Sequence, residues 1–342
     1  MKFLQNKKFL FFIWSVLFLA LTFLVLMRGP IAINLDQFIY FFSSKGQDSL
    51  AMDVLREIRV PKTITAILAG ASLATSGLLM QTFFQNPLAG PFILGIQSGS
   101  SLAVAIWVLG LKFLPFEIPS FFYKLGITFS SMMGSFLVLI ILFFLSLRIS
   151  GKLILLILGL LFSYISSGLI NILSLLSEAN ELKTFFLWSQ GSFQRVTYDD
   201  LALFCSLSLG GLLFSLSLMK SLNIMLLGDQ YAQSSGLSPK KIKIVIIFLT
   251  ALLAGLVTSF CGPIAFLGVL VPHIARKVFG TGDHKILLPA TMLMGSSLAL
   301  FSEVISSLSE QVTLPLNAIL GLIGFPVLFL FLWKKRNIEE AH

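Results

Sequence analysis

Long apolar runs alternate with short polar interruptions along the whole chain. The first charge-free run, Phe9 to Met27, is long enough to cross a hydrocarbon core of roughly 30 Å. Lys2, Lys7 and Lys8 precede it, as in a signal peptide, but it exceeds an h-region of about 7–15 residues and no A-x-A site follows. It reads as a retained first span. Thr63 to Leu111 is free of charge yet too long for one helix, and Pro87 and Pro91 divide it. A second long stretch, Ile244–Ala275, divides near Gly262-Pro263. The pattern predicts an all-α integral membrane protein of about ten transmembrane helices. Its spans fall at 9–27, 63–83, 92–111, 125–147, 153–177, 201–219, 242–260, 263–279, 286–306 and 314–333 of one domain, 1–342.

The exception to this rhythm is the polar island Asn223–Lys243, which reads as two short helices. Asp229 can cap the first by accepting orphan N–H groups. Gly236 can end that helix in the left-handed conformation, with Leu237 as the apolar contact that follows. Ser238 and Pro239 suit the N-cap and first position of the next helix, where proline has no N–H to lose. A capped, folded loop between spans suggests a docking surface; the plainer alternative is a turn whose lysines face lipid headgroups.

Charge gives this pattern an orientation. Only 11% of the 342 residues are charged against 56% hydrophobic, where a soluble domain carries about 25% charged. The net charge of +9 would suggest nucleic acid in a soluble protein; here it follows the membrane. With the N-terminus inside, 15 of the 24 Lys and Arg fall on inner loops and 11 of the 15 acids on outer ones, as the positive-inside rule requires. Both termini and the 223–243 island are then cytoplasmic. The outer segment 29–62 is amphipathic and is expected to lie along the membrane surface. Cys205 and Cys261 sit in apolar runs and form no metal-binding pattern.

Two further stretches stand out. Gly70, Ala74 and Gly77 place small residues on one face of the second span, and Gly95 and Gly99 form a GxxxG on the third; both allow close helix approach. Between them, Asn86-Pro87-Leu88-Ala89-Gly90-Pro91 is an uncharged inner-face turn, either a tight hairpin or a cytoplasmic contact with a fixed backbone. In 262–285, Pro263 is expected to start a helix, Pro272 to interrupt it and Asp283 to cap the next. His273 has no nearby carboxylate or cysteine and reads as a structural hydrogen-bonder.

These residues, in this order, resemble the FecCD family, the permease subunits of ABC importers for iron–siderophores, haem and cobalamin. The resemblance covers nearly the whole chain. It rests on Arg59-Val60-Pro61-Lys62, GASLATSG with Gln81 and Asn86-Pro87-Leu88-Ala89, and Trp188-x-x-Gly191-Ser192-Phe193. It continues through Gly228…Ala232…Gly236-Leu237, Phe266-Leu267-Gly268…Pro272-His273…Arg276 and Leu314-Pro315…Phe325-Pro326. It implies the type II importer permease fold in the cytoplasmic membrane and no cofactor on this chain. It also implies a second permease subunit, taken as an identical copy, two cytoplasmic ATPases that bind ATP–Mg, and an extracytoplasmic binding protein. Under it, Gly228, Asp229, Ala232, Gly236, Leu237 and Ser238 are ATPase-coupling residues. Arg59, Lys62 and Glu303 meet the binding protein, Ser150 and Gly151 lie at a gate, and Gln81, Asn86 and Pro87 form the inner-face turn. The chain departs from the family pattern at Glu303, where relatives often carry Asp, at Ser307 near an arginine's place, and at Thr313 and Asn317.

Elementary chemistry agrees. No G-x-x-x-x-G-K-[ST] occurs, so ATP phosphates must be cradled by a partner. Ion-coupled transporters, the alternative class, usually bury ionisable groups mid-membrane, and the spans are nearly free of them. An intramembrane enzyme would need a His/Glu or Ser/Lys constellation that is not found. The spans instead carry Ser72, Thr75, Ser76, Gln81, Gln97, Ser98, Ser163, Ser166, Ser167 and Asn171, over half of which are expected to bond neighbouring helices. A ferric siderophore is the favoured cargo, with haem or cobalamin open.

Overall fold

The computed structural model describes residues 6–29, 31, 38, 50–92, 94–111, 119–148, 152–308 and 314–339. Thirteen labelled helices make the architecture: α1 Lys7–Met27, α2 Val60–Phe84, α3 Ile96–Gly110, α4 Ser120–Arg148, α5 Lys152–Leu175, α6 Ala179–Ser189, α7 Tyr198–Ser217, α8 Met219–Met225, α9 Asp229–Ser234, α10 Pro239–Cys261, α11 Leu267–Phe279, α12 His284–Ser306 and α13 Leu316–Glu339. Ten of them overlie the ten expected spans. Among the described residues, seven helices are long and apolar enough to cross a membrane, and two shorter apolar ones, 96–110 and 316–329, accompany them.

The bundle is built around α2, in which every residue except Val60, Ile64 and Ile67 is buried. It packs on α12, α10, α11 and α7. Lipid tails are as apolar as leucine, so close backbone approach must supply the attraction that water supplies elsewhere. The small-residue stripe serves this: a Cβ on Gly70 would fall 2.3 Å from the Gly295 carbonyl oxygen of α12, and one on Gly77 1.6 Å from that of Gly268 in α11. Gly99 meets Gly134 of α4 in the same way.

Three local expectations are corrected. Leu50–Val54 and the π-turn Leu55–Arg59, the end of the segment 29–62 expected along the membrane surface, instead continue into α2, and most of 29–49 lies outside the described residues. The resulting rod Met52–Phe84 is 33 residues, about 50 Å at 1.5 Å per residue, longer than the hydrocarbon core. Pro263 does not start the eighth helix: residues 262–266 are non-helical and α11 begins at Leu267. Pro272 lies inside α11 without ending it.

Candidate functional site

The polar island folds as a compact, pinned loop. Gly228 takes φ +99°, a conformation that favours glycine, and is itself the N-cap of α9. Asp229 is therefore the first helical residue and not the cap; its carboxylate instead pairs with Lys243 of α10. Gly236, at φ +80°, closes α9: Leu237 N donates to the Ala232 carbonyl at 3.0 Å and Gly236 N to that of Gln233 at 3.0 Å, a Schellman-type end. Ser238 is the N-cap of α10 with Pro239 behind it, although its hydroxyl makes no capping bond. Ala232 is buried, whereas Leu226, Leu227 and Tyr231 stand 40%, 63% and 52% exposed. The loop thus offers an apolar ridge on a backbone fixed by two glycines.

At the loop's root, Asn223 of α8 bonds Asp283 and His284, and His284 bonds Thr82 of α2. Asp283 caps α12 by accepting from Lys285 N at 2.9 Å. That bond, the Asn223 amide and nearby Lys285 hold its carboxyl below the usual range. In the turn after α2, Asn86 Oδ1 accepts from Leu88 N at 3.0 Å across Pro87. Gln81 reaches across to α11, donating to the Val269 carbonyl at 3.1 Å and accepting from Arg276.

The three residues expected to face a binding protein are enclosed within the chain. Arg59 donates to the Leu26 and Met27 carbonyls at 2.8 Å each and to that of Ile31, so it satisfies the orphan carbonyls ending α1. Lys62 and Glu303 pair with each other at 3.0 Å. The bundle therefore does bury charge: Lys62 and Glu303 as a neutral pair, and Arg59 as a cation held by backbone carbonyls. Ser150 and Gly151 lie outside the described residues, as does Thr313.

A cleft of about 340 Å³ opens where the chain breaks between α10 and α11. Non-helical backbone at membrane depth is tolerated only where protein or a wet cavity satisfies it. Here Gln97 donates to the Ile264 carbonyl (2.9 Å), and Asn317 both accepts from Ala265 N (3.0 Å) and donates to the Pro263 carbonyl (2.8 Å). Ser98, Ser101, Ser163, Ser166, Ser167 and Ser189 add hydroxyls to an uncharged wall whose remaining surface is apolar, from Phe92, Ile170 and Phe185 among others. Ser98 donates to Ser163 at 2.9 Å. Ser166 Oγ and Gln97 Oε1 are buried without a partner. Among the ten polar span residues, Gln81, Gln97, Ser98 and Ser163 reach another element, fewer than the expected half. Ser76 bonds its own helix, and Ser72 and Thr75 are buried unpaired. The anchoring role of Asn317 was missed because only the fold brings its amide against the break. His273 is half-buried, and no group of three metal-ligating side chains occurs among the described residues.

A polytopic helical bundle with a rigid polar loop and an uncharged cleft at a helix break defines a membrane permease. The chain belongs to the FecCD transport family, which matches residues 17–334. It is 32% identical over 278 residues to the hemin transport system permease protein of Yersinia pestis, covering 81% of each chain. It is 33% identical over 290 residues to the Fe(3+) dicitrate transport system permease protein of Escherichia coli K12, covering 83% of each. It is 26% identical over 332 residues to the molybdate import system permease protein of Haemophilus influenzae, covering 93% and 95%. Its fold matches a solved chain described as an inward-facing conformation of a metal-chelate type ABC transporter, with TM-score 0.81, 27% identity and coverage of 94% and 98%. The protein is thus a multi-pass permease of the ABC-importer type.

Proposed function

We propose that this chain imports an iron chelate, a ferric siderophore in particular, handed to it by an extracytoplasmic binding protein. It works as one of two identical permease subunits above two cytoplasmic ATPases that bind ATP–Mg. The observation that carries this reading is the loop 226–238. Leu226, Leu227 and Tyr231 expose apolar surface on a backbone fixed by Gly228 and Gly236, which suits a partner's groove better than a headgroup layer. The Asp229–Lys243 pair ties that surface to α10, so force on the loop reaches a span.

The cleft supports the cargo. Neutral hydroxyls and amides can contact an oxygen-rich chelate without the tight charge pairing that would slow its release. The ferric dicitrate and hemin permeases are similar to this chain over about four-fifths of its length, which supports an iron chelate as the cargo.

The test is affinity purification of the tagged chain in mild detergent, then uptake of a radiolabelled ferric hydroxamate into liposomes. Capture of a P-loop ATPase and ATP-dependent uptake are expected. Uptake by the chain alone, abolished by a proton uncoupler, would replace this reading with an ion-coupled secondary transporter.

A further inference from the structure

The root of the polar loop is fastened to the bundle by side chains to which the proposed transport cycle has so far given no part. Asn223 lies in α8, a seven-residue helix between the end of α7 and the loop. Its Nδ2 donates to Asp283 Oδ1 at 2.6 Å, so its Oδ1 must face His284. There Oδ1 accepts the His284 backbone N–H at 2.8 Å and lies 2.8 Å from Nδ1. This orientation sets the proton on Nδ1 and places Nε2 2.8 Å from the Thr82 hydroxyl, whose one proton is shared between Nε2 and the Leu78 carbonyl of its own helix, 2.9 Å away. Thr82 and His284 are buried. A continuous polar path therefore runs from α8 through the first residue of α12 to the last turn of α2, the helix at the centre of the bundle.

We propose that Asn223 and His284 are positioning residues of the transport cycle. They make α8 one body with the inner ends of α2 and α12, so that displacement of loop 226–238 moves the bundle's centre instead of being absorbed at α8. The proposal rests on the reading of that loop as the ATPase-facing surface. A helix of seven residues has no independent stability, so α8 can transmit force only through what holds it. It enters from α7 through Leu218 without a side-chain cap and leaves into Gly228, the N-cap of α9, and beside these bonds only its apolar face, with Leu222 and Met225 buried, packs it on the bundle. Buried, mutually satisfied hydrogen bonds are stiff because breaking one leaves polar groups stranded away from water.

The experiment uses the chain captured with its ATPase in liposomes. A reporter cysteine replaces exposed Asn171, one turn beyond Ser167 on the same face of α5, in a Cys205→Ser background. Labelling by a membrane-impermeant maleimide is compared with and without ATP and vanadate. For Asn223→Ala and His284→Ala the nucleotide-dependent change in labelling should shrink roughly three- to tenfold, while ATPase capture and vanadate trapping persist. The double variant should be no worse than either single one, because both cut one path. Thr82→Val should behave likewise and Thr82→Ser should keep the response. Full responses in the single variants would overturn the proposal. So would losses that track ATPase release or melting equally in Thr82→Val and Thr82→Ser, since the pair would then serve folding alone. A parent chain that captures no ATPase and ignores vanadate would refute the importer reading and this proposal with it, an outcome distinguishable from a variant-specific failure.

Discussion

Lys62 near the start of α2 and Glu303 near the end of α12 form an ion pair sealed inside the bundle, 3.0 Å apart with 6% and 3% of their side chains exposed. A pair this enclosed gains its Coulomb energy only after a large desolvation cost, so its presence is weak evidence for stability. Removing one partner is another matter. Lys62→Met or Glu303→Leu should each destabilise the protein by about 3–5 kcal/mol, because the surviving charge is stranded, while the double variant should recover most of the loss. Thermal unfolding in detergent reads this cycle. Additive losses would show that the two side chains do not act as a pair.

Gly236 makes a different kind of prediction. A Cβ there would meet nothing within 4 Å, yet the residue holds φ +80°. Substitution therefore penalises the backbone alone, by about 1–2 kcal/mol, more for a β-branched side chain. Gly236→Val should reorient the end of α9 and lower substrate uptake per ATP hydrolysed, with the bundle's melting temperature little changed. Wild-type uptake per ATP in that variant would remove the loop from the coupling role.

The ten helices and the loop were legible because each rests on local rules: apolar length, helix caps and glycine at positive φ. Gly236-Leu237 and Ser238-Pro239 were read correctly for that reason. The partners of Arg59, Lys62 and Glu303 within the chain were not legible because they are remote in sequence. Only the fold shows that α1 ends under the Arg59 guanidinium, or that α12 brings a carboxylate to Lys62. Asp229 satisfied the composition of an N-cap, but Lys243, fourteen residues on, claimed its carboxylate, and Gly228 took the cap. Phe266 was unforeseeable: a non-glycine at φ +67° exists because Asn317 and Gln97 fix the residues before it.

Asp283 sets a pH dependence at the loop's root. Its carboxyl is held below the ordinary range, first by the Lys285 backbone N–H and then by Asn223. A group whose folded pKa is lowered contributes stability that is present above its unfolded value, near 4, and is lost as pH falls through the lower folded value. Melting should therefore be insensitive to this group from pH 7 to 5 and should weaken below about pH 4. Asp283→Asn keeps a competent N-cap but no titrating group, so its difference from the parent should vanish in acid. A difference that grows as pH falls would contradict the assignment.

Gly77 and Gly268 test whether backbone approach or side-chain bulk holds the bundle together. A Cβ on Gly77 would lie 1.6 Å from the Gly268 carbonyl oxygen and 2.4 Å from its carbon, contacts that no rotamer change can relieve. Gly77→Ala must therefore separate α2 from α11, and should cost about 1–3 kcal/mol in overpacking, with Gly77→Leu failing to give a monodisperse protein. Gly168, in α5, is the internal control: a Cβ there meets nothing within 4 Å, so Gly168→Ala should be neutral or stabilise by up to about 1 kcal/mol through helix propensity. Thermal unfolding and size-exclusion profiles in one detergent read both. A Gly77→Ala protein as stable as Gly168→Ala would mean that α11 can slide, and with it the helix break that lines the cleft.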